Sequence, residues 1–155
     1  MTQRRLSVAL VVLVLLGGCS PAETPETATT ADVELESLRQ RAEQGDAQAQ
    51  NDLGFRHRTG QGVPQDFMEM VRWYRLGAEQ GNAGALYGLG RSYDNGDGVP
   101  QDYVEAHKWF NLSAARGHAF APSMRDTLPI TPAQIAEAQK LAREWQAAFE
   151  QRGGT

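Results

Sequence analysis

The stretches "RTGQGVPQD" (Arg58 to Asp66) and "DNGDGVPQD" (Asp94 to Asp102) lie 36 residues apart. Their last seven positions differ only at Gln61 and Asp97. Read alone, the second copy is dense enough in acids to suggest a calcium loop, with Glu105 at the twelfth position from Asp94. Such a loop needs Asp or Asn at its third and fifth positions and Gly at its sixth, where this chain has Gly96, Gly98 and Val99. The first copy also replaces Asp94 by Arg58 and Asp97 by Gln61. No lysine follows either glycine pair, which excludes a phosphate loop of the G-x-x-x-x-G-K type. What both copies keep is turn chemistry. Gly60 and Gly96 stop a helix, Gly62 and Gly98 permit a second bend, and Pro64 and Pro100 stiffen the exit. Asp66 and Asp102 then cap the next helix, with Glu69 and Glu105 placed as capping-box partners.

Outward from this turn the whole sequence repeats. Residues 42–77 and 78–113 align without a gap and are identical at 17 of 36 positions. Each unit reads as two helices, A and B: Ala47 to Thr59 with Phe67 to Glu79, then Ala83 to Asn95 with Tyr103 to Ala115. A partial third unit covers 114–128, where Pro122 predicts a short or distorted helix. His118 takes the place of the capping residues Asp46 and Asn82. A closing helix follows over 131–151, with Thr131, Pro132 and Gln134 in a capping box. Before the repeats, Val33, Leu35, Leu38 and Ala42 mark one apolar helix face from Asp32 onward. The expected fold is all-α: a short solenoid of antiparallel helix pairs over 32–152 with a C-terminal capping helix.

The pattern A-x-x-G-x-A-x-A-x-x-x-L-G, then G-x-G-V-x-x-D, then W and A-x-x-G, resembles the Sel-one-like repeat, a relative of the tetratricopeptide repeat. The resemblance covers roughly 32–151. It implies a superhelix whose A helices line a concave face, and a role as a protein-binding scaffold. Some secreted members of the family bind β-lactams, and a cell-wall-active or β-lactam-binding enzyme is the alternative reading. Those members carry regular cysteine pairs, whereas this chain has one cysteine.

That cysteine follows an export signal. Arg4 and Arg5 precede the eleven-residue run "LSVALVVLVLL" (Leu6 to Leu16), too short for a bilayer span of ~20 residues. "LGGC" (Leu16 to Cys19) resembles a bacterial lipobox. The resemblance implies a signal peptide over 1–18, cleavage before Cys19 and lipid attachment to it. Each buried acyl methylene adds ~0.8 kcal/mol of membrane affinity. Ser20 after the cysteine implies outer-membrane sorting, on the periplasmic face. Residues 19–31, rich in Pro, Thr, Ala and Glu, form the expected tether. Cleavage would remove two arginines, leaving 13 basic against 19 acidic residues, or -6 against -4 for the full chain. With no basic block, nucleic acid is not an expected partner.

Catalytic and metal motifs are missing from the sequence. No serine has a lysine three residues on, "GRSYD" (Gly90 to Asp94) lacks the last glycine of G-x-S-x-G, and H-E-x-x-H is absent. His57, His107 and His118 fall at packing or surface positions, and no cofactor is implied. Trp73, Tyr74, Trp109, Phe110 and Trp145 sit on helix faces and read as core. The A helices are where the two units diverge: over 46–58 and 82–94 only Ala47, Ala49, Leu53 and Gly54 recur. The divergent positions at helical spacing are Asn51, Phe55, Arg58, Tyr87, Arg91 and Asp94. These six are the expected groove for an envelope protein or peptide partner.

Overall fold

The computed structural model describes residues 29–154. Seven helices follow one another: α1 (Thr30–Glu43), α2 (Ala47–Thr59), α3 (Phe67–Glu79), α4 (Ala83–Asn95), α5 (Tyr103–Ala115), α6 (Ala121–Asp126) and α7 (Pro132–Gln151). No strand occurs among the described residues. The export signal, Cys19 and the tether as far as residue 28 lie outside them.

The two repeat units form as their sequences require. α2 pairs with α3, α4 pairs with α5, and α3 packs on α4 to join the units. Asp66 and Asp102 accept from the second and third backbone N–H groups of α3 and α5, at 2.9 to 3.1 Å. The expected return bond from the glutamate three residues on does not form. Glu69 instead accepts from Arg72 at 2.8 Å, and Glu105 accepts from Lys108 at 2.6 Å and Trp109 at 3.0 Å. A cation one turn away offers a charge-assisted bond, which outcompetes the neutral backbone N–H. The retained glutamine of the turn has a role as well. Gln65 and Gln101 donate to the carbonyls of Arg58 and Asp94, in the last turns of α2 and α4.

Each unit buries an aromatic from helix B against a glycine of helix A. A Cβ at Gly54 would stand 2.7 Å from the Tyr74 ring, and one at Gly90 would stand 2.5 Å from the Phe110 ring. Phe110, Leu86 and Leu89 are fully buried. Around α3, α4, α5 and α7 runs one core cluster that includes Met70, Tyr74, Leu89, Leu112 and Ala142. A second cluster, with Leu38, Leu53 and Trp73, joins α1 to the first unit.

The ends depart from the sequence reading. α1 begins two residues before Asp32. Thr29 caps it, and Asp32 is the third helical residue of a capping box rather than the start. The threonine-rich composition disguises this box as tether. Only Leu38 and Ala42 of α1 are buried, Leu35 is half-buried, and Val33 is exposed, because α1 packs mainly on α2 and buries a narrow stripe. His118 is not a helix cap. α6 starts three residues later, after Phe120, without a side-chain cap, and ends within six residues. At the C-terminus the repeat register continues further than residue 128. Trp145 stands 36 positions after Trp109, as Trp109 does after Trp73. Gly153 has positive φ, as do Gly45, Gly81 and Gly117 at the same spacing. α7 thus carries the helix-B signature. It packs on α5 and sets Trp145 edge-on to Trp109, with centroids 5.9 Å apart.

Candidate functional site

Five of the six expected groove residues come together. Asn51, Phe55 and Arg58 of α2 face Tyr87 and Arg91 of α4 across a cleft of about 290 Å³. The one-turn spacing on each helix points the side chains the same way. Asp94 does not line it. Asp94 lies a turn beyond Arg91, and its carbonyl takes the Gln101 bond.

Five contributors go beyond the sequence reading: Asp52, Tyr74, Gly84, Gly88 and His118. Tyr74 reaches the cleft from α3, although its helix-B position reads as core. It can do so because Gly54 and Gly88 leave room on both sides of its ring, each 2.7 Å from it at the site of a Cβ. Gly84 leaves similar room for the Asn51 amide. His118 closes one end, stacked on Tyr87 with centroids 4.2 Å apart and planes 16° apart. The signal for the glycines is present in the second unit, where they replace Gln48 and Asp52 of the first.

The cleft continues on both sides. Asp52 and Phe55 also border a wider hollow of about 610 Å³ against α1. Arg58, Gly88 and Arg91 also line a second cleft of about 210 Å³ that runs toward Phe67 and Asp97. The exposed face of the A helices is therefore one trough, with aromatic rings at its middle and arginines in the wall between two clefts.

Its electrostatics are uneven. Asp52 is held by Gln48 at 2.8 Å and Asn51 at 3.2 Å. Neither Arg58 nor Arg91 has an ion pair with a carboxylate among the described residues. The Arg58 guanidinium lies 4.8 Å from the Phe55 ring centre, and the Nε of Arg91 is buried without an acceptor. Burial raises the Tyr74 phenol above its ordinary range, and the neighbouring Arg58 and Arg91 work against that rise.

The buried hydroxyls of Ser92 and Ser113 donate to the carbonyls of Gly88 and Ala83. No group of three or more metal-ligating side chains occurs among the described residues. His107 is buried, and burial together with the Arg125 charge holds its pKa below the usual imidazole range, against an opposing pull from Asp126. The unfolded chain therefore binds the proton more readily than the native one. Stability is expected to fall as pH drops from neutrality through the ordinary imidazole range, and His107→Gln is expected to flatten that slope. Thermal melts between about pH 7 and 5 measure it, and an unchanged slope in the variant would assign the acid sensitivity elsewhere.

A stack of helix pairs that presents a trough of A-helix side chains defines a helical-repeat protein of the tetratricopeptide-like kind. The family model for the Sel1 repeat matches residues 47–82 and 83–118, windows that keep the 36-residue period. The chain is 31% identical to a Sel1 repeat protein from Oxalobacter formigenes, with a TM-score of 0.57, over 78% of this chain and 91% of that one. It is 29% identical to a protective antigen present in uropathogenic Escherichia coli strains and displaying an SLR fold, with a TM-score of 0.73. That match covers 78% of this chain but 27% of the antigen, so the chain spans about a quarter of its length. No curated protein matches the sequence. The chain belongs to the Sel1 repeat family. Sel1 repeat proteins are in general scaffolds for protein–protein interaction.

Proposed function

We propose that this protein is an envelope-anchored scaffold that binds a protein or peptide partner in the trough formed by α2 and α4. The observation that carries the reading is the cleft itself. Five side chains that diverge between the repeats converge there, while the residues that recur pack the helices. A face used only for solvation has no reason to gather two aromatic rings and two arginines without ion-pair partners beside a buried tyrosine. Anchoring rests on the lipobox-like "LGGC", and Ser20 supports a position on the periplasmic face of the outer membrane.

Co-purification from an envelope extract tests it, with the variant Phe55→Ala/Tyr87→Ala/Arg91→Ala beside the parent. A protein recovered with the parent and lost with the variant is the expected result. The three residues are half-buried or exposed, so the variant is expected to keep its helicity. Equal recovery by both would reject the trough as the binding face. A covalent band on a penicillin-labelling gel would favour the enzyme reading over the scaffold.

A further inference from the structure

We infer that the trough selects an extended acidic peptide: an internal Asp or Glu side chain seats between Arg58 and Arg91, and an adjacent large apolar side chain enters the ring-lined cleft beside them. The inference rests on the scaffold reading and names the chemistry of its ligand.

Three observations lead to it. First, two arginines but one carboxylate, Asp52, line the cleft, so its charge balance is positive. Asp52 accepts at Oδ1 from Gln48 and Asn51, and neither arginine forms an ion pair with it. Second, Arg91 presents a buried Nε with no acceptor in a wall shared by two clefts. Arginine donors prefer carboxylates because the planar fork matches two oxygens, and the accessible part of Arg91 faces both clefts, where a ligand anion can approach. Third, one cleft offers Phe55, Tyr87, Tyr74 and His118 around about 290 Å³ of space, enough for a single large side chain.

The arrangement also separates two sources of carboxylate. Arg58, Gly88 and Arg91 line both clefts, so a peptide can run past the arginines from the cleft that His118 closes into the second one. A peptide that ended at the arginines would leave the second cleft empty, whereas one that continues fills both. The geometry therefore fits an acidic residue within a peptide rather than its C-terminal carboxylate. The overall charge of -4 repels acidic chains in general, so the attraction here is local to the two arginines.

A random-peptide display library, panned against the full chain and read by sequencing, tests the inference. The expected outcome is enrichment of Asp or Glu next to Phe, Tyr, Trp or Leu. Synthetic versions of the selected peptides are expected to bind equally with free or amidated C-termini and more weakly as salt rises. Arg58→Gln and Arg91→Gln are each expected to weaken them about tenfold or more at unchanged helicity. Enrichment without acidic residues would overturn the inference and leave the scaffold reading in place. Binding that depends on a free C-terminus would replace the internal side chain by a terminus. Failure to enrich any peptide would overturn the inference alone if the extract still yields a partner, and both readings if it does not.

Discussion

Gly98→Ala is expected to lower stability by roughly 3–5 kcal/mol, while Gly62→Ala, the same turn position one unit earlier, is expected to cost about 1–2 kcal/mol. Both glycines hold positive φ, 71° and 75°, so both substitutions incur the left-handed strain of a side chain. They differ in what a Cβ meets. At Gly62 the nearest atoms are Arg56 Nη1 at 3.5 Å and Leu35 Cδ2 at 3.6 Å, ordinary contacts with movable side chains. At Gly98 the Cβ would overlap the backbone carbonyl of Phe67, its carbon at 2.6 Å, with Val71 Cγ2 at 3.1 Å behind it. A carbonyl in the first turn of α3 is fixed by its helix and cannot move aside. The turn of the second unit is thus wedged against the helix of the first, and separating them strains the joint between units. Thermal melts followed by circular dichroism are expected to drop by about 10–20 °C for Gly98→Ala and about 3–10 °C for Gly62→Ala. Equal drops would mean that φ alone decides and that the units are not in close backbone contact.

The internal repeat makes most of this fold legible in the sequence. A turn seen twice is its own control, because a residue that changes between copies cannot be what the turn needs. Comparing the copies sets aside the acids Asp94 and Asp97 and fixes the bounds of α2 to α5 as the structure has them. The comparison has less force where only one copy exists. α1 has no full partner unit before it, so its Thr29–Asp32 capping box reads as tether. α6 is cut short near Pro122, and α7 then resembles an appended helix although Trp145 and Gly153 keep the register. The site is half legible. Divergence locates the outward positions of the A helices, because side chains that do not pack are free to differ. It cannot locate Tyr74. That residue repeats as Phe110 and belongs to the core by period, and its exposure to the cleft depends on Gly88 of the neighbouring helix. Such a contact lies between units and has no sequence period. Asp94 fails for the opposite reason: helical spacing continues one turn past Arg91 to the end of α4, beyond the residues that line the cleft.

Removing α7, by ending the chain at Ile130, is expected to abolish cooperative folding of the second unit. Among the described residues, α5 packs on α4, α6 and α7, and α7 gives it more cover than the short α6. Ala142 sits in the same core cluster as Leu86, Leu89 and Leu112, and Phe149 is buried. Trp145 stacks on Phe149 with centroids 5.2 Å apart and meets Trp109 edge-on. Arg116, at the end of α5, lies over both rings and donates to Gln146 at 2.9 Å. Burial of a large apolar side chain is worth about 1.5–3 kcal/mol, so these groups together contribute roughly 5 kcal/mol or more. A domain of this size has a total of about 5–15 kcal/mol. Loss of the cap is therefore comparable to the whole margin, as is general for solenoids whose terminal units shield the last apolar layer. The truncated chain is expected to show a broad melt, a red-shifted Trp109 emission and association on gel filtration. The milder Trp145→Ala is expected to cost about 2–3 kcal/mol and keep a sharp transition. A truncated chain that melts within a few degrees of the parent would make α7 an appendage. The register shared by Trp73, Trp109 and Trp145 would then be a remnant of duplication without a part in stability.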